Sequence, residues 1–575
     1  MLGSTICLFP ILILCLISPL VAHECIHNKI AGKVKKEFLE ISPTANSSRI
    51  LAEKTYAPIR IHADFTNISS SLSPEAISFI KNRIIPATKN FFESVLSVVP
   101  FEEPIVFRGY RYCFEAPISK ALQSTGVNAD LVLFVTAAPT DDNFLAWATP
   151  CFFDPVTTRP VAGQININSK LMSMKASDFQ DQLHTYIHET THVLGFSSML
   201  YADFIDPATN KPLPLEKVFQ FSNIRGVLTP LIVMPQVVNV AKTYFNCSNM
   251  IGVELENQGT EASLGSHWER RILGDEYMTA SSKYDSKISE FTLAFLEGTG
   301  WYRVNYSKAE YLFWGRGRGC AFLTESCITE DFHARFPEFC DRLNGEYCTF
   351  DHLYKGVCAI RDSGVNMSIS SWDYFKNGTI ALDPFSDNCP YAIYYSNGDC
   401  REPGPQYRAI DQAYGKDSRC FEGNLIKEGF MPLRDATITY CLQFSCHAIE
   451  WADVYRMNVQ IGANTVTCEY SGQQITVPGY TGTLKCPDPK YFCLNSARKY
   501  CRNGCTGRGE CINDTCVCKD GWDENYDCAL SKDQLNCTHC DGGPCNGDYC
   551  VGKNANSLTT ALSGLLLLLL VCLFI

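Results

Sequence analysis

The sequence has little net charge, no basic cluster and no long apolar span, and each shortage removes a class of function. Across 575 residues the formal net charge is only −12. It offers no basic patch for nucleic acid and no polybasic segment for a membrane surface. The strictly apolar core of the tail, Leu565 to Ile575, is shorter than the roughly 20 residues a spanning helix needs, and no basic stop follows it. Residues 188–198, HETTHVLGFSS, lack something more specific. The first eight positions match the opening of the zinc-protease pattern H-E-x-x-H-x-x-G-x-x-H, yet Ser198 stands where the third histidine belongs.

Cysteine is plentiful. Thirty cysteines, most of them after position 320, do not suit a reducing cytosol and point to the secretory route. The first 22 residues, MLGSTICLFPILILCLISPLVA, read as a signal peptide cleaved after Ala22. Sequons at Asn46, Asn67, Asn246, Asn305, Asn366, Asn377, Asn513 and Asn536 are permitted in that compartment. At the other end, Asn554, Ala555 and Asn556 precede a polar spacer and an apolar tail, the layout of a GPI-attachment signal. A tail anchor or plain secretion is the competing arrangement. The expected setting is therefore the cell surface.

A 575-residue chain implies several units. After a polar segment, 23–52, residues 57–65 alternate as a half-buried strand does, with Ile59, Ile61, Ala63 and Phe65 on one side. Ser73-Pro74-Glu75 predicts a helix start. ADLVLFVTAA (129–138) reads as a buried strand and GQININ (163–168) as a strand with one polar face. A helix is expected over about 178–194, capped by Ser177 with Gln180 and stopped by Gly195 in a left-handed conformation. This is an α+β pattern. The catalytic unit divides into 53–195 and 196–315. A cysteine-rich, mostly β domain follows over 316–495. The spacing C-x3-C-x5-C-x4-C-x-C-x9-C over 501–528 predicts an EGF-like module, with a stalk over 529–554 and a removed tail, 555–575.

His188 and His192, four apart on one helix, project from one face and can hold one ion, while Glu189 beside them can reach its water. His184, a turn upstream, reads as a surface or supporting residue. Two histidines leave a zinc site one protein ligand short. A glutamate from a later helix would close it in one class of enzyme. Gly195 favours the class in which the chain turns back with a third histidine. The next histidine downstream is His267, in LGSHWERR, and Met278 follows eleven residues later in GDEYMTA.

H-E-x-x-H-x-x-G-F, an insertion, then G-S-H-W-E-R-R and a methionine turn resemble the leishmanolysin family of metzincin proteases, which interrupt the signature before its last histidine. The likeness extends to FLAWATPC (144–151) and VAGQININ, and covers most of 55–490. It implies a zincin-type catalytic domain with an insertion before the third ligand and a disulfide-rich β domain behind it. It also implies one zinc ion held by His188, His192 and His267, Glu189 as general base, Met278 as the turn methionine, and endopeptidase action on protein substrates. GQININ is expected to be the edge strand that pairs with extended substrate. Thirty cysteines less Cys7, Cys15 and Cys572 leave twenty-seven, so parity makes Cys25 the natural candidate for an unpaired thiol. The family's pro-regions carry H-x-C-x-H, matched here by His23, Cys25 and His27, which implies a cysteine switch within 23–52. The rival reading is a catalytically silent adhesin built on the cysteine-rich and EGF-like modules.

Overall fold

A computed structural model describes residues 24–40, 55–68, 72–206, 208–258, 263–281, 286–362, 374–375, 379–402, 410–430, 438–449 and 453–496, with shorter pieces at 404, 406 and between 502 and 550. The signal region, His23, residues 41–52, Asn554 and the tail lie outside the described residues, as do the sequons at Asn46, Asn366, Asn377, Asn513 and Asn536. Among the described residues no helix is long and apolar enough to cross a membrane. Two compact units are present, one drawn from Met1–Ser173 and Asp181–Arg498, the other from Met174–Gln180 and Lys499–Ile575.

The larger unit is mixed α/β. Its first sheet contains β1 (Glu37–Phe38), β2 (Ile61–Asp64), β3 (Leu131–Thr136), β4 (Ala146–Phe153) and β5 (Pro160–Ile167) in the order β1-β4-β5-β3-β2. All pairings are parallel except that of β4 with β5. Ser73 caps the helix Pro74–Phe79 as expected, its Oγ accepting from Ala76 N at 3.1 Å.

One expectation needs correction. GQININ lies inside the sheet, between β4 and β3, so it is no edge. All of β5 is buried, and its polar residues bond neighbouring loops. Gln164 Oε1 accepts from Glu115 N and Ala116 N, Asn166 Oδ1 from Ala138 N, and Asn168 Oδ1 from Thr140 N. An alternating polar set thus marks internal bonding and no solvent face. The strand nearer the border is β4, and Glu37–Phe38 adds β1 to it at Phe152 and Phe153.

The helix α1 (Phe179–Leu194) packs on this sheet. It grows out of a 3-10 turn, Ala176–Asp178. Gly163 of β5 lets the helix come close: a Cβ there would lie 2.5 Å from Val193 Cγ1. After α1 the chain makes a 3-10 turn (Ser198–Asp203) and the hairpin β6 (Phe219–Ile224) and β7 (Val227–Ile232), then α2 (Pro235–Phe245), before reaching His267.

Beyond residue 320 sheets dominate. Ser418–Gly423, Ile438–Ile449, Val454–Ile461 and Asn464–Cys468 form most of a six-stranded antiparallel sheet around Phe421, Tyr440, Met457 and Val459. Disulfides Cys348–Cys420, Cys400–Cys441, Cys446–Cys493 and Cys468–Cys486 staple it. In the smaller unit Gly509–Ile512 and Thr515–Cys518 make a hairpin held by Cys505–Cys516 and Cys518–Cys528.

Candidate metal centre

Three histidines meet in the interior of the larger unit. Ring nitrogens of His188, His192 and His267 and the sulfur of Cys25 lie within 4.8 Å of one another, and all four residues are buried. His188 and His192 come from one face of α1, as four-residue spacing requires. His267 arrives after the insertion. Its ring stacks on that of His188 at 5.3 Å and 19°, edge-on to His192 at 4.9 Å. Residue 198 does touch this region, because Ser198 N donates to Ser266 Oγ at 3.0 Å.

Backbone carbonyls set the tautomer of every ring. The Nδ1 of His188 bonds Tyr277 O at 2.7 Å, that of His192 bonds Phe196 O at 2.6 Å, and that of His267 bonds Ser263 O at 2.8 Å. A carbonyl only accepts, so each Nδ1 carries the proton and each Nε2 presents a lone pair. The Nε2 atoms of His188 and His192 face each other at 3.1 Å. Two lone pairs at that separation repel unless a cation lies between their axes. The donor set therefore fits a metal ion.

Turns supply the carbonyls. At the end of α1, Gly195 N and Phe196 N both donate to Thr191 O at 3.1 Å. Gly195 has φ +155°, outside the left-handed helical well expected from the sequence but still in a region L side chains rarely adopt. That bend aims Phe196 O at His192. Tyr277 O belongs to the segment 276–279, which the buried Glu276 holds together. Its carboxylate accepts from Met278 N, from Ser289 Oγ at 2.8 Å and from Thr292 Oγ1. Burial pushes the Glu276 carboxyl up to about 7. Met278 is buried within this turn, and its carbonyl accepts from Trp268 N at 3.0 Å.

Glu189 is buried beside the cluster, its Oε2 accepting from Ala148 N of β4 at 2.9 Å. Its Oε1 faces Cys25 Sγ at 3.5 Å, and the same sulfur lies 3.3 Å from His192 Nε2. Cys25 is the free cysteine among the described residues. Burial, then the Glu189 carboxylate, push its thiol well above the usual range. Burial, helped by the neighbouring imidazoles, pushes His192 well down, so it is neutral and able to ligate. His184 is half-buried and outside the cluster.

Of the remaining contributors, only His27 is marked in the sequence, as the last residue of the H-x-C-x-H match. His27 stacks on His192 with centroids 4.0 Å apart, and its ring nitrogens contact Ser197 Oγ at 2.7 Å and Ala148 O at 3.0 Å. Asn28 bonds Leu264 O and Ser266 Oγ. The three carbonyls and Glu276 carry no motif of their own.

The leishmanolysin family model, peptidase M8, matches residues 71–499. A leishmanolysin-like peptidase of Drosophila pseudoobscura pseudoobscura is 30% identical over 84% of this chain and 88% of its own. A leishmanolysin homolog of Crithidia fasciculata is 28% identical over 74% of this chain and 65% of its own. The leishmanolysin of Leishmania tropica is 31% identical over 52% of this chain and 44% of its own.

Proposed function

The chain belongs to the leishmanolysin family and is a metalloendopeptidase, and we propose that it uses one zinc ion held by His188, His192 and His267, with Glu189 as general base. The observation that carries this reading is the set of three imidazoles whose Nδ1 protons are all committed to carbonyls. Neutral imidazole nitrogens suit zinc, and three protein ligands leave a position open for chemistry. Bound there, zinc lowers the pKa of water to about 7 and polarises the scissile carbonyl.

Glu189 does the proton work. Ala148 N anchors Oε2, so Oε1 points to the place where Cys25 Sγ now sits. Once that place is vacated, Oε1 accepts a proton from the attacking water and returns it to the departing amine. Gly195 and the turn at Met278 hold Phe196 O and Tyr277 O behind the ligands and keep the rings oriented. Residues 196–266 are the insertion that delays the third ligand in a zincin-type domain.

Cys25 closes the site. A thiolate is a good zinc ligand, and with it the donor set has the four members of a structural site. Residues 23–52 are then a latency segment whose removal opens the fourth position. The surface setting belongs to the same proposal: a signal peptide, an EGF-like module over 501–528, and glycolipid attachment near Asn554, testable by release with phosphatidylinositol-specific phospholipase C.

The deciding experiment compares Glu189→Ala and His267→Ala with wild type for zinc content and caseinolysis, with and without chelator. Glu189→Ala keeps zinc and loses about 10²- to 10⁴-fold in rate, the usual worth of a general base. His267→Ala loses the metal. Full zinc stoichiometry in His267→Ala would mean that the third ligand lies elsewhere.

A further inference from the structure

The insertion forms an apolar cavity of about 470 Å³ beside the metal cluster. One wall is Ser198 and Tyr201, just after α1, and another is Leu264 and Gly265, just before His267. The hairpin β6–β7 supplies the rest, including Phe219, Phe221 and Leu228. Phe219 and Phe221 are two apart on one strand and so share a face.

The cavity is open. Phe221 is 59% exposed, Leu228 66%, Leu215 47% and Leu264 38%, and all four border it. Large apolar side chains gathered in one concave, solvent-facing patch mark a site that something covers. The latency segment shows what reaches this rim. Asn28 donates to Leu264 O at 2.5 Å and accepts from Ser266 Oγ at 2.6 Å, while His27 contacts Ser197 Oγ. The cavity wall and the ligand are also joined, since Glu256 N donates to His267 O at 2.9 Å. From Cys25 at the cluster to Asn28 at the rim is three residues of chain. The last part of that path is the helical turn His27–Ala31, which is shorter per residue than a strand, so an extended peptide meets the cavity about two to three residues from the cluster.

We propose that the cavity is a substrate subsite that takes a large aliphatic or aromatic side chain about two to three residues from the bond being cut. This rests on the peptidase reading above. The lining selects by shape and apolar area. Among its described lining residues there is no cation to attract an acidic residue, and the carboxylate there, Glu256, is itself buried.

The test uses metal-loaded protein released from its latency segment. Fluorogenic peptides differ at one position, walked from two to four residues on each side of the scissile bond, and carry Phe, Leu, Ser or Asp there. Wild type should prefer Phe or Leu over Ser by roughly 10- to 100-fold in kcat/KM at one position, the worth of burying such a side chain. In Leu228→Asp and in Phe221→Ser that ratio should fall toward one. The ratio is internal to each variant, so a partly folded preparation does not blur it. The same peptides are titrated against Glu189→Ala protein by fluorescence anisotropy, where Phe should again bind more tightly than Ser. An unchanged ratio in both variants, or a ratio near one at every position in wild type, overturns the proposal. So does a dimer that dissociates on Leu228→Asp with the ratio intact, because a second copy would then be the occupant. Wild type without peptidase activity refutes the zinc mechanism, and the anisotropy ratio still decides the cavity.

Discussion

At the scale of single residues, Cys25 carries the sharpest expectation. Its sulfur lies 3.3 Å from His192 Nε2 and 3.5 Å from Glu189 Oε1, so it contacts both a proposed ligand and the proposed base. Cys25→Ser should give a precursor that cleaves peptides without processing, and thiol-binding mercurials should activate the wild-type precursor. A serine precursor as silent as wild type would sink the switch. Glu276 gives a pH expectation. Its folded-state pKa, about 7, is raised above the ordinary 4.5 by burial. The stability it contributes is therefore complete below about pH 4.5 and is lost as pH rises through about 7. Relative to wild type, Glu276→Gln should abolish a slope worth roughly 3 kcal/mol across that window, read by denaturant unfolding at each pH. Parallel curves for the two proteins would show that Glu276 does not titrate there. Of these residues the sequence displays the two helical histidines best, because a four-residue period is local. Glu276 was not legible, since the second of two adjacent acids in GDEYMTA has no period or spacing to betray burial.

At the scale of elements, the approach of β5 to α1 decides whether the helix can hold its histidines in place. A Cβ on Gly163 would lie 2.5 Å from Val193 Cγ1 and 2.9 Å from Thr149 O. The side chain could swing but the carbonyl cannot, so the strand and helix must part. Gly163→Ala should cost about 1–3 kcal/mol, as overpacking does, and weaken zinc because Val193 adjoins His192. Thermal unfolding with a zinc competition assay checks both, and an unaltered zinc affinity would uncouple the contact from the site. Strand identity was readable here: ADLVLFVTAA and GQININ both become strands, and the helix ends at Leu194 as expected. Strand order was not. Gln164, Asn166 and Asn168 look like a wet face until their loop partners, 24 to 49 residues away, are known. A period of two reports alternation, and it cannot say what stands on either side.

At the scale of the molecule, the region beyond residue 320 is fastened to the segment that carries His267. Arg270, three residues past that histidine, pairs with Asp383 at 2.7 Å, and its other nitrogen bonds Ser281, next to the Ala280 carbonyl that receives Cys25 N. Arg225 in the insertion pairs with Glu254 and with Asp387. Asp383 and Asp387 lie 113 and 162 residues from their arginines, so no local pattern announces them, although the cysteines did forecast a stapled C-terminal region. Arg270 is 3% exposed, and stripping one partner from a buried pair leaves a charge without its counterion, at a cost of about 3–5 kcal/mol. Asp383→Ala should therefore lower the melting temperature and also the zinc affinity, through displacement of the chain between Trp268 and Arg271. The pair Lys170–Asp141, exposed at both ends, is the control, and Asp141→Ala should leave both quantities unmoved. Calorimetry and competitive zinc titration on the three proteins separate the outcomes. If Asp383→Ala loses stability while its zinc affinity matches wild type, the C-terminal region supports the fold without positioning the third ligand.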